Sequence, residues 1–143
     1  YQQKALDLAG EIQRLRVTIF GARNVRKGDG SEEEPPPPKP YCTCELAGQA
    51  HMRGKTNVAR DDPDPTWNYT IEFDRITTKD TLHFVVWDHD ELNQDSDDAL
   101  GGTFITGVQA LHGFSGELLI RELNGRQRGE AYIKVRTEAL PIL

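Results

Sequence analysis

The sequence predicts an all-β fold, an eight-stranded antiparallel β-sandwich preceded by a short helix or linker. Three observations lead there. Apolar residues recur with a period of two in one segment after another. Turn chemistry rich in Gly, Pro, Asn and Asp separates those segments at regular spacing. No long helical period interrupts them. A chain of 143 residues with 36% hydrophobic content has the length for one domain with a buried core. No apolar run approaches the roughly 20 residues of a membrane span.

Residues 1–14 favour a helix, with Ala5, Leu8 and Ile12 at helical spacing and Gly10 as the one breaker. From Leu15 the period changes to two. Leu15, Val17 and Ile19 alternate with Arg16, Thr18 and Phe20, as in a half-buried strand. A loop from Gly21 to Pro40 follows, carrying Asp29, Glu32-Glu33-Glu34 and the run Pro35–Pro38. Four prolines cannot join a sheet interior, so the run is read as a stiff insertion, with a polyproline ligand for another domain as the alternative. Tyr41–Leu46 is the second strand, and Cys42, Cys44 and Leu46 share one face. Residues 48–54 are assigned to a turn and 55–59 to a short polar third strand. Arg60–Pro65 is a turn cluster. Trp67–Phe73 alternates clearly, and Thr81–Trp87 is β-branched and aromatic throughout. Residues 102–108 form a sixth strand and 109–114 a turn or brief helix. Residues 115–123 and 129–137 close the sandwich around an Asn124-Gly125 hairpin signal. The expected division is 1–14 helix or linker, 15–138 sandwich and 139–143 tail.

The two cysteines, Cys42 and Cys44, stand at i and i+2 on one strand face, a spacing that opposes a disulfide. They are read as small core residues, consistent with a reducing, intracellular compartment. A metal site with His51 lacks further ligands. The four histidines, His51, His83, His89 and His112, have no evident nucleophile partner, so an enzyme is not expected. The net charge of −6 argues against nucleic acid as a partner.

The acids are concentrated. Thirteen of 23 fall in the windows 29–34, 61–64 and 88–98, which follow the first, third and fifth strands. Antiparallel neighbours place those three connections at one end of a sandwich. The connections after strands two, four and six hold only Asp74 and Asp80. Carboxylates gathered at one end repel one another unless a cation joins them, and hard oxygen donors suit calcium. Asp88 and Asp90 leave a strand at i and i+2, Asp98 closes the loop, and Asp29 approaches from the first loop. An EF-hand is excluded, because the loop at Asp88-His89-Asp90 lacks the glycine at loop position six, the terminal glutamate and flanking helices.

These residues resemble the C2-domain family, the calcium- and phospholipid-binding module found in protein kinase C, synaptotagmin and phospholipases. The likeness runs from Leu15 to about Glu138. Ala22-Arg23-Asn24-Val25 is similar to the opening Ala-x-Asn-hydrophobic, and Pro40-Tyr41 to the end of Asp-Pro-Tyr. Lys55-Thr56 and Asp64-Pro65-Thr66-Trp67-Asn68 match Lys-Thr and Asn-Pro-x-Trp-Asn. Val86-Trp87-Asp88-His89-Asp90 and Asp98-Ala99-Leu100-Gly101 match Trp-Asp-x-Asp and Asp-x-hydrophobic-Gly. The last segment, Arg128–Val135, resembles the first strand of the circularly permuted form, which implies the phospholipase-type (type II) topology.

The resemblance implies Ca2+ bound by Asp29, Asp88, Asp90 and Asp98, with Glu32, Glu33, Glu34, Asp64 and Asp97 as further candidates. It implies docking on an anionic phospholipid membrane, hence a cytoplasmic, reversibly membrane-associated module. Tyr41, Arg53, Lys55 and Trp87 match the family's lipid-binding concave face, and Leu92 is an apolar loop tip. Three positions depart from the pattern. Lys39 stands where a first-loop aspartate is usual, the third loop has two extra residues between Asp90 and Asp98, and Asp64 replaces asparagine. Lys39 and the polar loop tips motivate the alternative, a calcium-independent scaffold whose partner is another protein.

Overall fold

The structure is a computed structural model that describes residues 12–26, 37–123 and 129–141. Eight strands follow in order: β1 Gln13–Arg23, β2 Pro40–Leu46, β3 Gln49–Lys55, β4 Thr66–Ile76, β5 Thr81–Asp88, β6 Asp98–Thr106, β7 Ser115–Glu122 and β8 Ala131–Leu140. Among the described residues one α-helix, α1 (Gly107–His112), lies between β6 and β7, and a short 3-10 turn, Gln94–Ser96, lies between β5 and β6. The hydrogen-bonded order is β3-β2-β5-β6-β7-β8-β1-β4, antiparallel at every pair. The layers β3-β2-β5-β6 and β7-β8-β1-β4 face each other and join at a corner, where β6 meets β7 through Gly101↔Glu122 and Gly102↔Arg121. β1 lies beside β8 along its length, from Arg14↔Leu140 to Arg23↔Tyr132, as the permuted topology requires.

The period-two pattern becomes the core. Leu15, Val17 and Ile19 of β1 are fully buried, and so are Ile133 and Val135 of β8. They oppose Cys42, Cys44 and Leu46 of β2 and Leu82, Phe84 and Val86 of β5 within one cluster. The cysteines are free thiols, and burial pushes both thiols up from their ordinary pKa, so they serve as inert packing residues.

Several boundaries differ from the sequence reading. The strand assigned to 55–59 is β3 at Gln49–Lys55, the stretch read as a turn. Only Ala47-Gly48 turns, Gly48 taking φ +76°. Gly54 is not a turn glycine. It is buried on the inner side, where a Cβ would come within 2.2 Å of Ile71 Cδ1. Residues past Lys55 leave the ladder while still bonding to β2, through Thr56 N to Cys42 O and Ala59 N to Pro40 O. The sixth strand begins at Asp98 rather than at residue 102, because Asp98 and Ala99 pair with Asp88 and Trp87 around a bulge. The first strand opens at Gln13, inside the stretch assigned to a helix, and residues 1–11 of that stretch lie outside the described residues. The last strand runs on to Leu140. The Asn124-Gly125 signal and Pro35-Pro36 also lie outside the described residues.

The brief helix is α1, capped by a reciprocal box between Thr106 and Gln109. Ala110 and Leu111 close one end of the core. Buried Thr137 of β8 holds the helix, donating to Ala110 O and accepting from Phe114 N.

Candidate functional site

The described parts of the connections after β1, β3 and β5 meet at the end of the sandwich opposite α1. Backbone bonds stitch them together. Val25 N donates to Pro63 O at 2.8 Å, Asp62 N to Pro38 O at 3.3 Å and His89 N to Lys39 O at 3.0 Å. An Arg60–Glu91 ion pair ties the second of these loops to the third.

The motif residues are the stitches. Asn24 sits in the left-handed region at φ 59°, which asparagine tolerates, while its Nδ2 donates to Glu130 O and its N–H to Asp64 Oδ1. The next residue, Val25, is fully buried. Thr56 Oγ1 accepts from Cys42 N, and the Trp67 indole donates to Pro40 O. Asp64 is thus a staple between the first and second loops.

The predicted metal ligands divide. Asp88 and Asp98 are direct register partners on β5 and β6, which places two carboxylates side by side at the loop end. Asp88 Oδ1 also accepts from Lys39 N at 2.9 Å. Asp90 turns to its own loop, Oδ1 accepting from Leu92 N at 2.9 Å and Asn93 N at 3.3 Å. Asp29, Glu32, Glu33 and Glu34 lie outside the described residues. Among the described residues, no three His, Cys, Asp or Glu side chains form a group that could hold a metal ion. The donor chemistry at the Asp88–Asp98 pair is oxygen alone, which suits calcium over softer metals. Completing roughly six to eight oxygen ligands there would need Asp90, backbone carbonyls and first-loop carboxylates.

Asp97 has a separate setting. Its side chain is 6% exposed, with Oδ2 accepting the Tyr41 hydroxyl at 2.5 Å and facing His89 Nδ1 at 3.3 Å. Its Oδ1 accepts from Asp90 N at 2.8 Å. Burial alone would raise this carboxyl. The Asp90 N–H, the Tyr41 hydroxyl and the His89 ring outweigh that and hold it below the ordinary carboxylate range. Burial first, then the Asp97 contact, push the Tyr41 hydroxyl well up.

A cleft of about 460 Å3 opens beside this contact, lined by Tyr41, Arg53, Gly54, Lys55, Asp95 and Asp97. Lys55 Nζ sits 4.4 Å above the Tyr41 ring. Trp87 stacks on Tyr41 at 6.3 Å between centroids and 10° between planes, and its indole donates to Thr43. The structure therefore brings together Tyr41, Arg53, Lys55 and Trp87 from three strands. Leu92 stands 97% exposed at the loop tip. Asp95, which the sequence reading did not single out, and Asp97, which it grouped with the further metal candidates, both line this cleft.

An antiparallel sandwich that presents three stitched loops at one pole and a polar cleft on one face is a binding module. The C2 domain family model matches residues 13–119, and the chain belongs to that family. No curated protein sequence matches it. Among solved structures, a C2 domain of plant extended synaptotagmin 1 is similar at a TM-score of 0.71 and 18% identity, over 92% of this chain and 96% of that one. A calcium-bound structure of two C2 domains of extended synaptotagmin 2 aligns at 0.69 and 18%, over 93% of this chain and 47% of that one. Human GIVD cytosolic phospholipase A2 aligns at 0.68 and 24% over 92% of this chain. The chain spans only 16% of that phospholipase, and at these identities the likeness is one of fold. Among the described residues, no helix is long and apolar enough to cross a membrane.

Proposed function

We propose that this domain docks a larger protein reversibly on anionic phospholipid membranes from the cytoplasmic side, through the loop pole and with the help of Ca2+. The single observation that supports this best is the register pairing of Asp88 with Asp98 at the pole where the described parts of all three acidic loops converge. Asp88, Asp90 and Asp98 would hold the ion, with Asp29 or one of Glu32–Glu34 from the first loop. Bound calcium would offset the negative potential of the pole and offer ligand positions to lipid phosphate oxygens. The chain's own residues do the rest. The stitched loops hold the carboxylates in place, and Leu92 offers an apolar tip for the interfacial zone. Without a cation, the acids of the third loop repel an anionic surface.

Flotation with phosphatidylserine vesicles tests this. Binding in calcium and release in chelator are expected, and Asp88→Asn with Asp98→Asn abolishes the calcium-dependent part. Equal binding with calcium and chelator overturns the calcium step. A second reading, a calcium-independent scaffold for another protein, is favoured by one observation. Lys39, Arg60 and the Asp90 turn already hold the pole together by internal contacts. Calorimetry without calcium heat below millimolar concentrations selects it.

A further inference from the structure

The layer β7-β8-β1-β4 has an outer face of its own, and a bulge shapes it. Ile19 pairs with Val135 and Gly21 with Lys134, so Phe20 has no opposite residue on β8. The extra residue changes the parity of β1. Phe20 and Arg23 are three apart, yet both stand on the outer face. Lys134 and Arg136 lie over the Phe20 ring, and Arg23 lies over the Tyr132 ring. A cleft of about 370 Å3 opens at the bulge, with Phe20, Arg23, Asp64, Asn68, Glu117 and Lys134 in its lining.

The charges on this face are unevenly matched. Glu117 is the register partner of Lys134, yet its carboxylate is held by Arg23 Nε at 2.7 Å and Nη2 at 3.2 Å. Glu138 is shared by Arg16 at 3.5 Å and Arg136 at 3.7 Å. Lys134 Nζ is thereby left without an ion pair among the described residues, 5.7 Å from the Phe20 ring, and Arg136 stands 5.9 Å from the same ring. A half-buried aromatic ring flanked by exposed cations has the composition of an interface anchor. Across the cleft, exposed Asn68 is left-handed at φ 48°. Its amide offers two donors and an acceptor, the complement of a peptide group.

An anionic bilayer presents one sign of charge everywhere, and Asp64, Glu117 and Glu138 interrupt this face. A peptide can place a single acid where the surplus of cations lies. The cleft is at the lower end of ligand-cleft volumes, roughly 300–1,000 Å3, and suits a short extended stretch of chain rather than a helix.

We propose that this cleft is a docking site for an extended segment of a partner protein that carries an acidic side chain beside an apolar one. Lys134 and Arg136 take the carboxylate, the Phe20 ring takes the apolar side chain, and Asn68 takes a peptide group. The site goes beyond the membrane-docking reading. It uses neither calcium nor the loop pole, and it lies along the strands between the poles, so the two are tested apart.

The test is an amide chemical-shift titration of the whole chain in chelator with acetyl-Leu-Glu-Leu-amide and its Leu-Gln-Leu and Leu-Lys-Leu counterparts. Expected shifts centre on Phe20, Gly21, Arg23, Asn68, Lys134 and Arg136. Replacing Glu by Gln in the peptide weakens binding about tenfold, the loss of one charge-assisted pair. Lys134→Glu with Arg136→Glu, shown to be folded by its dispersed spectrum, reverses the order, so that Leu-Lys-Leu binds tighter than Leu-Glu-Leu. The milder Lys134→Gln weakens Leu-Glu-Leu about threefold and leaves Leu-Gln-Leu unchanged, whereas a merely structural role would weaken all three peptides alike. Equal binding of the three peptides by the wild type, shifts centred elsewhere, or no shift at about 10 mM peptide overturns the site. Flotation with phosphatidylserine vesicles in chelator checks the competing class of partner. Retention of the wild type that Lys134→Gln abolishes assigns the face to lipid and overturns the peptide. Loss of calcium-dependent flotation, with the titration intact, overturns only the loop-pole reading.

Discussion

The contact between Tyr41 and Asp97 joins the sheet to the third loop, and a double-mutant cycle measures it. The bond is a 2.5 Å O–H···O⁻ contact between a ring 5% exposed and a carboxylate 6% exposed. Hydrogen bonds to charged groups in such settings contribute about 1.5–3 kcal/mol. Tyr41→Phe leaves Asp97 with Asp90 N and His89, so a loss of about 2 kcal/mol is expected. Asp97→Asn keeps the shape and an acceptor but removes the charge, for a similar loss. The pair then shows a coupling energy of about 1.5–2 kcal/mol at pH 7. The pH dependence follows from the lowered carboxyl of Asp97. In the unfolded chain this group titrates near its usual value of about 3.9. In the folded protein it titrates lower, so its stabilisation is whole above roughly pH 5 and is lost as pH falls through the folded value. The gap between wild type and Asp97→Asn is therefore constant from about pH 5 to about pH 7 and closes on further acidification. Urea unfolding followed by tryptophan fluorescence reads both quantities. A coupling below about 0.5 kcal/mol, or a gap that widens in acid, refutes the claim that this bond anchors the third loop.

Three further outcomes are expected. Gly101→Ala puts a Cβ 2.2 Å from Ile120 Cγ2 and 2.9 Å from Arg121 O at the β6–β7 corner, whereas Gly102→Ala meets nothing nearer than Phe84 O at 3.3 Å. Thermal unfolding should show a loss of about 2–3 kcal/mol for the first and less than about 1 kcal/mol for the second, and equal losses count against the corner geometry. Calcium should raise the melting temperature of the wild type and leave Asp88→Asn with Asp98→Asn unmoved, as calorimetric scans in calcium and chelator would reveal. Arg60→Ala removes an exposed ion pair and should change stability by less than about 0.5 kcal/mol in urea, while raising hydrogen exchange in the third loop.

The segments with firm alternation, β1, β2, β4, β5 and β8, were legible because one face of each enters the core. The convergence of the described parts of the connections after β1, β3 and β5 was legible for the same reason, since strand parity sends alternate connections to one pole. β3 was not. Its inward positions are Met52 and Gly54, and a glycine that admits Ile71 is indistinguishable in sequence from one that makes a turn. The division of labour within Asp97-Asp98 was also hidden. Neighbours in a strand point to opposite faces, so the residue at which β6 begins decides which carboxylate meets Asp88 and which meets Tyr41. Acids are poor strand formers, and nothing local announces a strand that opens on one. Asp64 reads as a ligand candidate by motif, and the sequence did not show that its Oδ1 accepts Asn24 N–H, a contact set by a left-handed backbone that only the fold reveals.

The pairing of β1 with β8 has a mechanical consequence. Arg14 and Leu140 are register partners, and both lie at the pole away from the acidic loops. Tension applied between these two ends loads the β1–β8 ladder at its open end. The hydrogen bonds then break in succession, as teeth of a zipper part, rather than all at once in shear. Pulled in this direction the domain should yield at low force. Pulled between its loop pole and either end, it loads whole strands lengthwise and should resist far better. A domain held to a surface by its loops and to a tether at the opposite pole would thus be stressed along its stiff axis.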